Sequence, residues 1–478
     1  MKSTQLAENM HRNLRVLFSI ALGTLVGSSI VMAKEEPKPN IIFIFADDWG
    51  WGDLSCHGHP YVETPNIDRL AKEGTDFTRF TVASGVCSPS RTAVMTGHFP
   101  ARYAIDGHFA WVPSNERRSM PDWLDTNAPS LPRFLQSAGY TTAHYGKWHL
   151  ANNMIPDSPT PAEYGYDEYG AFNCSGEQMP VHEDAMHTNA FIEKAVADGK
   201  PFFVNLWVHE PHTPFHTVPK YEWRFREMEE ENRPGQIYAS VLSHADDRIG
   251  EVLDTLDRLG VAENTLVIFS SDNGPARASK PGELALNYDT ATGAGWGINA
   301  AKGITSGRKG YKASLFEGGI NVPFLARWPG RIAAGATDDD SLISAVDLLP
   351  TFCELAGVNL PDGYESDGVS QVAVLKGEAI QTREKSLFWK SLSPWPAQKA
   401  KPDHWVSYAV VHQNWKLVMS REGEHVELYD IVSDPYEKAD LKETQPEVVA
   451  ELTALIEQWK KTLPDGPSGD VFSMEREG

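Results

Sequence analysis

At 478 residues the chain can build one large core, or a large domain with a smaller partner. A formal charge of -22 and a pI near 5.1 create a long-range field that repels polyanions. This excludes a general affinity for nucleic acid or anionic membranes and requires any anionic substrate to be held locally. Four scattered cysteines, Cys56, Cys87, Cys174 and Cys353, form neither a zinc pattern nor a dense disulfide framework. With Cys87 set aside for chemistry, at most one disulfide can form among the other three.

The N-terminus carries Lys2, Arg12 and Arg15, followed by an apolar run from Val16 to Ala33. The small residue closing Val31-Met32-Ala33 predicts an export signal over 1–33, cleaved near Ala33, with the mature chain periplasmic or secreted. An uncleaved anchor is the alternative, weakened by Gly23, Gly27, Ser28 and Ser29. No later segment is a transmembrane candidate, so no stable membrane span is expected after cleavage.

From there, short apolar runs alternate with helical patterns. The expected fold class is therefore α/β, a large mixed, mainly parallel sheet sandwiched by helices. Strands are predicted at Ile41–Phe45, Thr141–His144, Phe202–Val208 and Leu266–Ser270. Thr64-Pro65 opens a helix to Glu73, Ser130 opens another to Gly139, and the longest spans Gln236–Leu259, its apolar positions forming one core-facing side. The 275–312 segment has no clear periodicity and is locally basic, through Arg277, Lys280, Lys302, Arg308, Lys309 and Lys312. After about residue 375 the pattern changes to antiparallel strands at Ser386–Trp389, Tyr408–His412, Lys416–Met419 and Val426–Asp430, then a helix over Pro446–Leu463. The division is thus a catalytic α/β domain over 34–375 and a C-terminal α+β subdomain over 376–478.

Polar residues follow each predicted strand of the large domain: Asp47-Asp48, Lys147 and His149, His209 and His212, Asp272-Asn273. Ligands of open α/β sheets bind outside the carboxyl ends of the strands, so these groups should share one edge. Asp47, Asp48, Asp272 and Asn273 offer only oxygen ligands, pointing to a hard divalent cation, Ca²⁺ or Mg²⁺, that relieves the repulsion between adjacent carboxylates. If the chain continues extended past Lys147, Lys147 and His149 face the same way.

In Cys87-Ser88-Pro89-Ser90-Arg91, Ser88 suits an N-cap, Pro89 suits the first turn, and Gly97 closes the helix. Cys87 then sits at a helix N-terminus, which favours a thiolate or a bound oxyanion, with Arg91 aimed at the same spot. On these five residues alone a structural buried cysteine stays open. A thiol phosphatase is disfavoured, because its phosphate loop wants five residues between cysteine and arginine and this chain has three.

The pentapeptide with Met95-Thr96-Gly97 resembles the signature of the type I sulfatases, the arylsulfatase-like branch of the alkaline phosphatase superfamily. Asp47-Asp48-Trp49-Gly50-Trp51-Gly52-Asp53-Leu54, Gly58-His59-Pro60, Thr64-Pro65-Asn66-Ile67-Asp68, Gly146-Lys147-Trp148-His149-Leu150, Pro211-His212-Thr213-Pro214, Ser271-Asp272-Asn273-Gly274 and Phe316-Glu317-Gly318-Gly319 agree in order. The resemblance implies that Cys87 is oxidised to formylglycine by a maturation enzyme, and that its hydrate attacks the sulfur of a sulfate ester. It implies one Ca²⁺ in preference to Mg²⁺, held by Asp47, Asp48, Asp272, Asn273 and the modified residue 87. Arg91 would hold the diol, Lys147 would neutralise the sulfuryl group, His149 would accept a proton during release, and His212 and Lys312 would serve the bridging oxygen. The expected activity is hydrolysis of a sulfated carbohydrate, with a phosphonate or phosphodiester hydrolase, or a non-catalytic glycan-binding relative, as alternatives. Ala151 and Asn321 depart from the family pattern and are expected to affect substrate choice more than chemistry. His108 and His209 are left between contact with substrate and local hydrogen bonding.

Overall fold

The computed structural model describes residues 37–380, 383–391 and 404–477. The export-signal segment, 1–33, lies outside them. The central sheet is built from β1 (Asn40–Ala46), β2 (Thr75–Phe77), β3 (Thr141–Lys147), β4 (Glu168–Phe172), β5 (Phe202–Trp207), β6 (Thr265–Ser271), β7 (Phe324–Arg327) and β8 (Ala336–Asp338). Their order is β8-β2-β7-β6-β1-β5-β3-β4. All neighbours run parallel except β7, which is antiparallel to both β6 and β2.

Strand β1 shows why the sheet is sandwiched. All seven of its residues are buried, and they alternate between two cores: Ile41, Phe43 and Phe45 enter one, Ile42, Ile44 and Ala46 the other. A strand apolar on both sides needs cover on both faces. One face is covered by helices including α1 (Pro65–Glu73) and the long α3 (Glu229–Arg258), which contributes Ile237, Val241, Leu242 and Ile249. The backbone of that long helix departs from helical angles at Asn232, whose Oδ1 accepts the Gly235 N–H at 3.1 Å, so the regular segment starts near the predicted residue 236. The opposite face is covered by helices including α2 (Cys87–Thr96).

Beyond residue 380, β9 (Leu387–Lys390), β10 (Val406–His412), β11 (Trp415–Ser420) and β12 (Val426–Asp430) form an antiparallel sheet in chain order. Helix α4 (Pro446–Lys460) stacks Trp459 on Phe388 at 4.9 Å and sets its edge against Phe99, which extends the first core into this sheet. The 275–312 segment contains a short hairpin, Leu286–Asp289 with Gly293–Trp296. All four cysteines are free thiols.

Candidate active site

Strands β1, β3, β5 and β6 are parallel neighbours, so the residues following them emerge at one end. β1 releases Asp47 and Asp48, with Asp48 in the left-handed region at φ 68°. β6 releases Asp272 and Asn273. The two exits are tied together: the Asp272 N–H donates to Ala46 O at 3.0 Å, and the Trp49 N–H to Ser271 Oγ at 2.9 Å. Cys87 is the first residue of α2, Val86 its cap, and Gly97 closes it in the left-handed conformation. Ser88 is not the N-cap: its hydroxyl accepts the Phe109 N–H at 2.9 Å, because this helix start is fixed by the 105–110 segment crossing it.

Arg91 is fully buried. Its Nε and Nη2 both reach Asp272 Oδ2, at 3.0 and 2.7 Å, and its Nη1 donates to Lys147 O at 2.7 Å. The guanidinium therefore locks two strand ends together while lying below Cys87. Lys147 Nζ pairs with Asp47 Oδ2, and Lys312 Nζ meets Asp48 Oδ1 at 2.5 Å. Asn273 turns its amide N–H onto Asp48 Oδ1 at 2.7 Å. Burial alone would raise the Asp47 carboxyl, but His212, Lys147, Arg91 and Lys312 together hold it well below its usual range. Asp272 is pushed up to about 7 by burial and by the neighbouring Asp47 charge, against the pull of Arg91. Burial also raises Cys87 despite Lys147 and Lys312, so the thiol stays protonated at this helix terminus.

The donor set fits a hard cation. Asp47, Cys87 and Asp272 each offer a ligand atom within 4.8 Å of the others, and Asp47 Oδ1 and Asn273 Oδ1 are buried with no hydrogen-bond partner among the described residues. Orphaned buried oxygens beside carboxylates that repel one another are what a divalent ion would satisfy.

Cys87, Lys147, His149, His212 and Lys312 line one open cavity of about 490 Å³, shared with His108, Trp111 and Asn152. Lys147 and His149 reach it by a different route from the extended one expected. His149 sits at φ 56°, where a left-handed turn returns its ring to the cavity and its Nε2 lies 2.9 Å from Phe109 O. Since a carbonyl only accepts, Nε2 carries the proton, and Nδ1 is left buried and without a hydrogen-bond partner among the described residues. Burial, then Lys147 and His108, keep this imidazole neutral. His212 places Nδ1 2.5 Å from Thr213 O and Nε2 3.9 Å from Asp48 Oδ2. His209 lies behind it, with Nε2 3.2 Å from Pro214 O. His108 lines the cavity directly.

The locally basic segment does not form one anion-binding face. Arg308 lies 3.8 Å over the Trp51 ring, Lys309 pairs with Glu427 at 2.6 Å, and Arg277 covers Tyr311. Of the six basic residues, Lys312 alone lines the cavity, held by its N–H to Pro275 O at 3.0 Å. Trp111 and Asn152 are not predicted by any sequence pattern. Their only available signal is that Asn152 stands three residues after His149, and both reach the Phe109 carbonyl.

The family model described as Sulfatase matches residues 39–358, and one described as N-sulphoglucosamine sulphohydrolase, C-terminal, matches 309–462. N-acetylgalactosamine-6-sulfatase from Rattus norvegicus is 29% identical, over 94% of this chain and 90% of the relative. N-acetylgalactosamine-6-O-sulfatase from Bacteroides thetaiotaomicron is 27% identical, over 95% and 99% respectively. Among solved structures, that of Ps i-CgsB in complex with k-i-k-neocarrahexaose superposes with a TM-score of 0.74 at 26% identity, covering 92% of this chain and 96% of that one.

Proposed function

Because the chain belongs to the type I sulfatase family of the alkaline phosphatase superfamily and is thus a sulfuric ester hydrolase, we propose that it removes sulfate from a sulfated carbohydrate through a formylglycine made from Cys87. The observation that carries this reading is the placement of Cys87 within 4.8 Å of Asp47 and Asp272, on a helix start whose own thiol is held protonated. A thiol in that state is a poor nucleophile; a hydrated aldehyde at the same position is a diol with two usable oxygens.

A Ca²⁺ ion held by Asp47, Asp48, Asp272, Asn273 and residue 87 would supply positive charge to the attacking oxygen and to the sulfate oxygens. Lys147, kept charged by Asp47 although burial opposes it, faces the transferring sulfuryl group. One diol hydroxyl would give its proton to solvent and bond to sulfur through its oxygen while the bond from sulfur to the sugar oxygen breaks. Lys312 would give an ammonium proton to the departing sugar oxygen and recover it from solvent, with His212 beside it. The second diol hydroxyl then gives its proton to His149 Nδ1, the carbon–oxygen bond to sulfate breaks, and the aldehyde returns with sulfate released. Water re-adds to the aldehyde, so each cycle consumes one water.

The relatives' names and the oligosaccharide-bound neighbour support a glycan substrate. Released sulfate, measured across N-acetylgalactosamine 6-sulfate, carrageenan oligosaccharides and an aryl phosphodiester, tests it. Turnover of a sulfated sugar is expected; hydrolysis of the phosphodiester alone would reject the assignment. The same reading takes 1–33 as an export signal, with the mature chain periplasmic or secreted and matured by a formylglycine-generating enzyme. N-terminal sequencing of the mature protein should begin near Lys34.

A further inference from the structure

Apart from the carboxylate-rich sheet edge, a second group of side chains gathers metal-ligating atoms. His182, on the turn Val181–Glu183, Glu210, after β5, and His244, on α3, each offer one such atom, and these lie within 4.8 Å of one another. The donor set is two imidazoles and one carboxylate from three separate elements.

Hydrogen bonding does not account for this arrangement. His182 Nε2 lies 3.2 Å from Glu210 Oε1, near enough for a charge pair but outside hydrogen-bond geometry. It and His244 Nδ1 are buried nitrogens with no hydrogen-bond partner among the described residues, and so is Nε2 of the neighbouring His216. The His182 and His244 rings stand 4.3 Å apart and nearly perpendicular, with His216 6.3 Å from His182. Burial lowers His244 to about 3 and lowers His216 as well, so both are neutral, the form that ligates a metal. Glu210 is ionised: burial opposes this, but Arg248 and His182 hold it well below its usual range.

Around this cluster the supporting shell is built. Arg248 grips Glu210 through Nη1 at 3.0 Å and Nη2 at 2.6 Å, and anchors itself on Asp184 through Nε at 2.9 Å. Each Glu210 oxygen keeps a further lone pair, and its direction is fixed by the arginine, as outer-shell groups fix metal ligands. Glu210, oriented by Arg248, thus faces two buried ring nitrogens, His182 Nε2 and His244 Nδ1, that lack hydrogen-bond partners among the described residues, a set that a divalent cation would complete. A mixed nitrogen and oxygen set selects a borderline ion such as Zn²⁺ over Ca²⁺.

We propose that His182, Glu210 and His244 form a second divalent-metal site that takes Zn²⁺. The ion would tie the 181–183 turn and α3 to the loop carrying His212, a structural role separate from sulfate transfer. To test it, the full-length, calcium-loaded protein is equilibrated with Zn²⁺ in excess Ca²⁺, bound zinc is counted, and its position is found by anomalous scattering at the zinc edge. One zinc per chain is expected, with its peak between His182, Glu210 and His244. The His182→Ala/His244→Ala variant should weaken zinc binding by ~100-fold or more while still binding Ca²⁺. The single His182→Asn variant, which leaves α3 unchanged, should show the same direction of change. No zinc under excess Ca²⁺, a peak at the Asp47–Cys87–Asp272 group instead, or unchanged affinity in both variants would overturn the proposal.

Discussion

Arg91 shows how one side chain sets the geometry of the centre. Its two contacts to a single Asp272 oxygen and its third to the Lys147 carbonyl need a planar fork, which lysine lacks. Arg91→Lys should therefore cost stability on the order of 3 kcal/mol, because a buried carboxylate loses its partner, and should lower kcat by about 100-fold. Chemical unfolding and steady-state sulfate release measure the two separately. Away from the centre, His59 Nδ1 accepts the N–H groups of Tyr61 and Val62 at 3.3 and 2.9 Å, so it must be unprotonated in the fold, and burial lowers this histidine to about 4. The folded state thus binds fewer protons than the unfolded chain. The stability it contributes is fully present above about pH 6.5 and is lost as pH falls towards 4. His59→Asn keeps an acceptor but cannot titrate, so its stability between pH 6.5 and 4 should fall less steeply than wild type, by on the order of 1–2 kcal/mol.

The strands act through where they stop. Gly146, the penultimate residue of β3, has φ 106°, and a Cβ there would lie 2.0 Å from Trp207 O of β5. Gly146→Ala should cost about 3 kcal/mol or more from strain and clash, and should displace Lys147, so unfolding and turnover are both expected to suffer. Strand cores of this kind were legible from sequence because Ile41 to Phe45 is apolar on both sides, and only a covered strand tolerates that. The shared edge was legible from the polar residues at the carboxyl ends of the strands. The fate of the basic segment was not, since Lys309 is paired with Glu427, 118 residues away, and Arg308 is stacked on Trp51. The route of His149 was equally hidden: its left-handed turn is set by the Phe109 carbonyl, which no local pattern announces. Ser88 looked like a cap for a similar reason, as its actual partner lies 21 residues along the chain.

Across the whole molecule, the C-terminal sheet reaches the loops of the candidate site through a buried charge group. Lys416 on β11 is fully buried and joins Glu317 at 2.7 Å and Glu437 at 2.8 Å, and Glu317 comes just after the segment that delivers Lys312. Lys416→Met leaves two buried carboxylates without their cation, so a loss of about 3–5 kcal/mol is expected in urea unfolding, together with a raised KM. Removing divalent ions with a chelator should lower the Tm, and added Ca²⁺ should restore it, because three carboxylates crowd the centre of the fold and Asp47 Oδ1 and Asn273 Oδ1 are buried there without hydrogen-bond partners among the described residues. The charge ring, the helix start and the cavity all converge on residue 87, whose chemical state decides between a thiol and a diol mechanism. Mass spectrometry of the Cys87 peptide, taken from active protein made with its maturation enzyme, should find formylglycine that reacts with a hydrazide. An unmodified thiol in protein that turns over sulfate esters at full rate would contradict it.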